Sequence, residues 1–421
     1  MNGQCVCDPG FAGSNCQYLD LLPASDPNIE GFDDPNYPAW GGNAIYANGE
    51  YHFIVSYMVN KCYITSYGTN SAILRAAGNF PWGPFTFKEE ILPPFHHGAR
   101  VLRDVNKNYL VFGDGKDMPP FTVQTNCQGQ GRRVLTQNEA DARFKSESRA
   151  RRRFPRSKYK RYSKGQSNLY PIGSSPNDEH FVASAITMSA GTWNQDQRLL
   201  KDFQTNIKIW DSWDCNKTNL SPVILPNGTV VMAYRSKSCL THQQQGCGNF
   251  CQHIAVAVSE NGVNGPYTLP PKSIPILDGN EDPFLWYSSK GWHMLLHGKN
   301  ICGDYQAARD TCGAYAYSSD LINWYLSPYP AYTMQVTFDP SLNIPPENLK
   351  YRQRPALYFS NEGIPMVLYN SGQRFQNNYV RNFAFRFNVS QVTNYEAPPA
   401  CPPNYWMDQC TQFNRNAKFR T

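Results

Sequence analysis

The chain has 421 residues, 14% of them aromatic and only 17% charged, with a formal net charge of +6. Such a length buries a sizeable core, and an aromatic, Gly- and Pro-rich composition suits strands and turns better than helices. No apolar run reaches the roughly 18 residues that a membrane-spanning helix needs, so the sequence carries no span of that kind.

The first cysteines stand in CVCDPGFAGSNC, with Cys5, Cys7 and Cys16 around a Gly-Phe-x-Gly stretch. This pattern resembles the second half of an epidermal-growth-factor-like module over residues 1–17. The resemblance implies a Cys7–Cys16 disulfide. It also implies that the partner of Cys5 lies upstream, so that Met1 is not the natural start and a signal peptide and half a module precede it. Residues 18–29 read as a linker. The other ten cysteines allow five disulfides, whose pairing the spacing leaves open. Cys247-x3-Cys251 fits disulfide partners better than zinc, because no matching His or Cys pair follows at metal spacing. The sequons at Asn216, Asn227 and Asn388 mark glycosylation sites, and Asn219 heads a fourth that Pro222 weakens. Cysteines and sequons together point to a secreted or cell-surface protein.

Internal repeats then organise residues 30–395. Five segments share a small or polar start, an apolar run, a Gly- or Asn-bearing turn and a second apolar run. They begin at Gly41, His97, Leu220, Glu281 and Gln353. Their turns, Asn48-Gly49, Asn106-Lys107, Asn227-Gly228, Lys290-Gly291 and Glu362-Gly363, suit hairpins because Asn and Gly tolerate positive φ. Outer-strand signals recur at Trp82-Gly-Pro-Phe-Thr, 189–193, Asn264-Gly-Pro-Tyr-Thr and 319–324. A sandwich leaves this regular repetition unexplained. The expected fold is all-β: a five-bladed β-propeller behind a small disulfide-bonded N-terminal remnant.

Between the second and third repeats lies a basic insert, about 118–168. Its residues 143–164 hold eleven Lys or Arg and one Glu, which leaves the rest of the chain at −4. The segment has no apolar period and reads as a solvated loop. Arg149-Ala150-Arg151-Arg152 resembles a furin-type processing site. An acidic polysaccharide or acidic protein is the expected partner there. Nucleic acid is not, because the basic footprint is a tail and not a folded face. Residues 396–421 form a tail bearing Cys401 and Cys410.

The repeats, with Glu281-Asp-Pro-Phe-Leu-Trp286, resemble the family 43 glycoside hydrolases and their five-bladed furanosidase-like relatives. That resemblance implies an all-β propeller with a sugar site in the central funnel and Glu281 as general acid; separately, the carboxylate of Asp282 beside it acts to raise the pKa of that acid. Aligned on their turns, the repeats place Gly42, Gly98, Ser221, Asp282 and Arg354 in one ring. The base that the resemblance expects from blade one then falls at Gly42, and the tuning Asp of blade two at Ala99 or Arg100. Asp33 and Asp34, upstream of blade one, are candidates to substitute for that base, as are Asp211 and Asp214, and all four read also as surface loop acids.

Around the carboxylates, His96, His97, Arg100 and Arg354 supply positive or switchable charge, and Trp40 and Trp286 supply faces for stacking on a sugar. Arg354 reads equally well as a structural partner of Asp282. His293 and His297 read as interior histidines, and no metal site or other cofactor is expected. A calcium ion is common in the resembled group, but no ligand set for one is legible. The expected function is therefore a secreted, glycosylated propeller that binds extracellular carbohydrate or joins an extracellular assembly, catalytically impaired. The alternative is an active glycoside hydrolase using Glu281.

Overall fold

The computed structural model describes residues 7–26, 28–105, 109–115, 123–125, 127, 180–188, 193–200, 215–237, 252–263, 265–270, 277–278, 280–298, 312–375 and 379–389; only the backbone is described at 180–188, 193–200, 215–217, 237 and 277–278. The basic insert beyond residue 127, Asp211, Asp214, the Asn216 side chain and the C-terminal tail lie outside this description.

Five antiparallel sheets form the five blades. Blade one is Ala39–Ala47, Glu50–Met58, Ser71–Gly78 and Thr86–Leu92. Blade two is His96–Arg103, Tyr109–Gly115, His180–Met188 and Trp193–Leu200. Blade three is Cys215–Ile224, Val230–Lys237, Gln252–Ser259 and Leu277–Asp278. Blade four is Glu281–Ser288, Gly291–His297, Cys312–Ser318 and Tyr325–Leu326. Blade five takes Tyr351–Phe359, Pro365–Gln373 and Arg381–Arg386 from the end of the repeats and its outer strand, Gly31–Phe32, from before blade one. Pairing the last blade with an early strand closes the ring, and the first strands of successive blades pack in order, five against one. One outer-strand expectation moves: Thr268 makes a bridge to Val258, and Leu277–Asp278 is the outer strand of blade three.

The core lies between blades, where alternate strand residues interdigitate. Phe53, Phe112 and Phe383 are fully buried there. Residues 18–29, expected as a linker, contribute the buried Leu19 and Ile29 to the cluster between blades four and five. The Cys7–Cys16 disulfide is formed. Its loop sits against the hairpin ends of blades four and five, with Phe11 edge-on to Tyr315 at 5.4 Å and Asp8 paired with Lys290.

Every first strand breaks register at one equivalent point: between Trp40 and Asn43, His97 and Arg100, Thr218 and Ser221, Glu281 and Phe284, and Gln353 and Ala356. Each break is a bulge carrying a left-handed residue: Gly41 (φ +76°) with Gly42, Gly98 (+72°), Asn219 (+58°), Asp282 (+56°) and Arg354 (+52°). The ring of bulges is therefore Gly41, Gly98, Asn219, Asp282 and Arg354. This corrects the turn-based alignment, which puts Gly42 and Ser221 in those places. The bulges are located by where the pairing of the first two strands breaks register, which the turn residues do not mark.

Ser221 has a different task. Its Oγ accepts the Leu285 N–H of blade four at 2.8 Å, as Asn43 Oδ1 accepts the Val101 N–H of blade two at 2.9 Å. Both side chains sit two residues past a bulge, and each satisfies a backbone donor of the next blade.

Candidate functional site

Bulging a strand re-aims the side chains on either side of it. Here the five bulges lie at one end of the first strands and surround the propeller axis. Each pre-bulge residue pairs with a residue near the end of the second strand. These partners are Ser56, Asp114, Arg235, His297 and Ser371, opposite Trp40, His97, Thr218, Glu281 and Gln353. All five are polar, at the ends of apolar strands. Asp114, Arg235 and Asn219 belong to the funnel and are not legible as site residues in the sequence. A polar interruption in the second apolar run of each repeat is the signal that marks the partner positions.

The expected pair, Glu281 and Asp282, stands at the funnel and is fully engaged. Glu281 meets Arg235 through Oε2 at 3.3 Å and His297 Nδ1 through Oε1 at 3.2 Å. Asp282 Oδ1 accepts from Asn219 Nδ2 at 2.8 Å and from Arg354 Nε at 3.0 Å. The structural pairing of Arg354 with Asp282 is thus present. Asn219 also donates its backbone N–H to Asp114 Oδ2 at 3.1 Å, so it joins the carboxylates of blades two and four. Its amide is buried in this task, which removes it as a glycan acceptor. Asp282 and His297 are nearly closed to solvent, at 4% and 1% side-chain exposure; Glu281, Arg235 and Arg354 open further, at 16%, 15% and 11%.

Other expected residues divide. His97 lies in the funnel, with Nδ1 2.8 Å from Ser71 Oγ. Burial, then the Arg354 charge, lowers its pKa to about 3, so it is neutral. His96 is buried, with Nδ1 2.8 Å from the Pro93 carbonyl. Arg100 is a bolt across the channel and not an exposed sugar contact. It donates to the carbonyls of Gly42 at 3.2 Å and Pro355 at 2.9 Å, in blades one and five. Burial lowers its pKa to about 9.

Trp40 is buried, and Trp286 packs among Phe284, Phe359, Tyr315 and His293 in the inter-blade core. Neither offers a free face to the funnel. His293 is held by Ser288 Oγ and Tyr315 Oη, both at 2.7 Å. Asp33 pairs with Arg381 and accepts from Tyr379 Oη, while Asp34 Oδ1 accepts the Asn36 N–H at 2.8 Å, so both are tied down on the rim.

Glu281, Asp282 and His297 bring three ligand-type atoms within 4.8 Å of one another, a set that the sequence does not reveal. The arrangement does not suit a divalent cation. Arg235 and Arg354 already bond the same two carboxylates and place two positive charges beside the position an ion would take.

A neutral buried histidine makes stability depend on pH. Because the folded pKa of His97 is below its unfolded value, its contribution is complete above about pH 6.5 and is lost as pH falls toward 3. Urea denaturation between pH 6.5 and 4 will show a shallower loss in His97→Gln than in wild type, by at most about 1.4 kcal/mol per pH unit. Parallel pH profiles would show that His97 is not buried as described.

No family model matches the chain, and no curated protein matches it. Among solved structures, it is similar to a family 117 glycoside hydrolase from the marine bacterium Zobellia galactanivorans, at 10% identity over 93% of this chain and 98% of the other, with a TM-score of 0.51. A further glycoside hydrolase matches at 10% identity over 92% and 96%, TM-score 0.49, and one described as putative from Parabacteroides distasonis at 11% over 91% and 97%, TM-score 0.48. The likeness is one of fold: an all-β, five-bladed propeller resembling those of glycoside hydrolases.

Proposed function

We propose that this protein is a secreted, glycosylated propeller that binds extracellular carbohydrate in its funnel and is impaired as a hydrolase. One observation carries the impairment: the blade-one bulge holds Gly41, so the position facing blade four has no carboxylate. Two-carboxylate hydrolysis needs an acid and a base or nucleophile on opposite sides of the sugar. Both oxygens of Glu281 are also engaged, Oε2 by Arg235 and Oε1 by His297, whereas a general acid must present one of them to the leaving group. Alternating donors and acceptors around the funnel suit a polyhydroxylated ligand. Two disulfides, Cys7–Cys16 and Cys62–Cys127, and an exposed Asn227 in a hairpin support an extracellular route. The epidermal-growth-factor-like reading of residues 1–17 rests on the cysteine pattern alone.

The test is titration calorimetry with neutral arabino-, xylo- and galacto-oligosaccharides and their uronate- or sulfate-bearing counterparts, beside turnover of aryl furanosides and pyranosides. Saturable binding that Glu281→Gln weakens, without turnover above that variant's background, is expected. Turnover by wild type that Glu281→Gln abolishes would establish the alternative, an active glycoside hydrolase; Asp114 is then the nearest blade-two carboxylate to examine as its partner.

A further inference from the structure

We infer that Tyr67 is the platform on which a saccharide ring stacks at the mouth of the funnel; this rests on the carbohydrate-binding reading above. Tyr67 opens a four-residue helix, Tyr67–Asn70, in the connection between the second and third strands of blade one. That connection lies at the same end of the blade as the bulges, since Met58 pairs with Ser71 and Tyr57 with Ala39. The Tyr67 ring rests 5.2 Å from His97, the pre-bulge residue of blade two, and is still 55% exposed. His97 pairs across its hairpin with Asp114, and Arg354 and Arg235 are the further charges that act on it. An aromatic face beside a polar floor is what a sugar needs: its C–H face packs on the ring while its hydroxyls reach the charged groups.

The platform is also held still. Met58, Cys62 and Cys127 form a small buried cluster around the Cys62–Cys127 disulfide. Asn60 and Asn70 both donate to the Gln124 carbonyl at 2.8 Å, and Gln124 N–H returns a bond to Asn70 Oδ1 at 3.1 Å. A ring fixed in this way loses little freedom when a ligand arrives. Phe80, 52% exposed, is a contrast: it lies flat on Trp82 at 5.2 Å, in the turn between the third and fourth strands of blade one, at the end away from the funnel.

The test uses the full chain and the same oligosaccharide panel. For the probe that wild type binds best, Tyr67→Ala is expected to weaken binding roughly tenfold or more, and Tyr67→Trp to keep it within about threefold. Phe80→Ala is expected to bind as wild type does. If Tyr67→Ala binds normally while Glu281→Gln has lost affinity, the funnel reading stands and the role of Tyr67 is overturned. If wild type binds no probe, both fall.

Discussion

Alanine at Gly42 will cost about 4 kcal/mol of stability, whereas aspartate at its neighbour Gly41 will cost only about 1 kcal/mol. Both glycines have positive φ, +106° and +76°, but their surroundings differ. A Cβ at Gly42 would stand 2.4 Å from the Ile54 carbonyl oxygen and 2.9 Å from Val55 Cα, which are backbone of the adjacent strand. Relieving that contact means shifting the central hairpin of blade one. A Cβ at Gly41 meets nothing within 4 Å. Asp282 occupies the equivalent bulge in blade four at φ +56°, so an aspartate can adopt this backbone. Chemical denaturation of the two variants measures the difference; equal stabilities would mean that the bulge is not built as described. The expected tolerance at Gly41 has a functional consequence: the fold leaves room for a blade-one carboxylate, and the sequence does not supply one.

Removing the Asp282 carboxylate is the second large perturbation. Asp282→Ala leaves Arg354, only 11% exposed, without its 3.0 Å partner, and leaves Asn219 Nδ2 without its acceptor. Breaking one side of a pair this buried will cost about 3 kcal/mol, near the lower end of the usual range because Arg354 retains some solvent. Thermal denaturation reads this as a drop of roughly 4 °C, small because a propeller of this length has a large unfolding entropy. In a double-mutant cycle with Arg354→Ala, a coupling of about 1–3 kcal/mol is expected. Additive single-variant losses would show that the two bulges are held independently and would remove the pair as a lock between blades four and five.

These two cases show where sequence reasoning reaches the molecule. Hairpin turns and apolar periodicity are local, so the five repeats and Glu281-Asp282 at the start of the fourth are legible directly. The column alignment is not, because a bulge inserts a residue without changing the apolar pattern. That is why Gly42 and Ser221 stand in for Gly41 and Asn219 when only turns are counted. Trp40 and Trp286 mislead for another reason. An aromatic near a strand start looks the same in sequence whether it faces a ligand or the neighbouring blade, and here Trp40 is buried and Trp286 packs half-buried against the inter-blade core. Tyr67 shows the reverse: it sits in a connection with no repeat pattern, and only folding sets it beside His97.

By itself the sequence determined the all-β class, the number of blades and the acidic pair in blade four, and the resemblance of its first cysteines to a known module implied the Cys7–Cys16 disulfide. Each of these is carried by residues near one another in the chain. Only the tertiary structure decided what the acidic pair meets: Arg235 and His297 on Glu281, Arg354 and Asn219 on Asp282. His297 comes across the hairpin of the same blade, and the other three come from neighbouring blades. Ring closure brings those three to one axis, which no local pattern encodes.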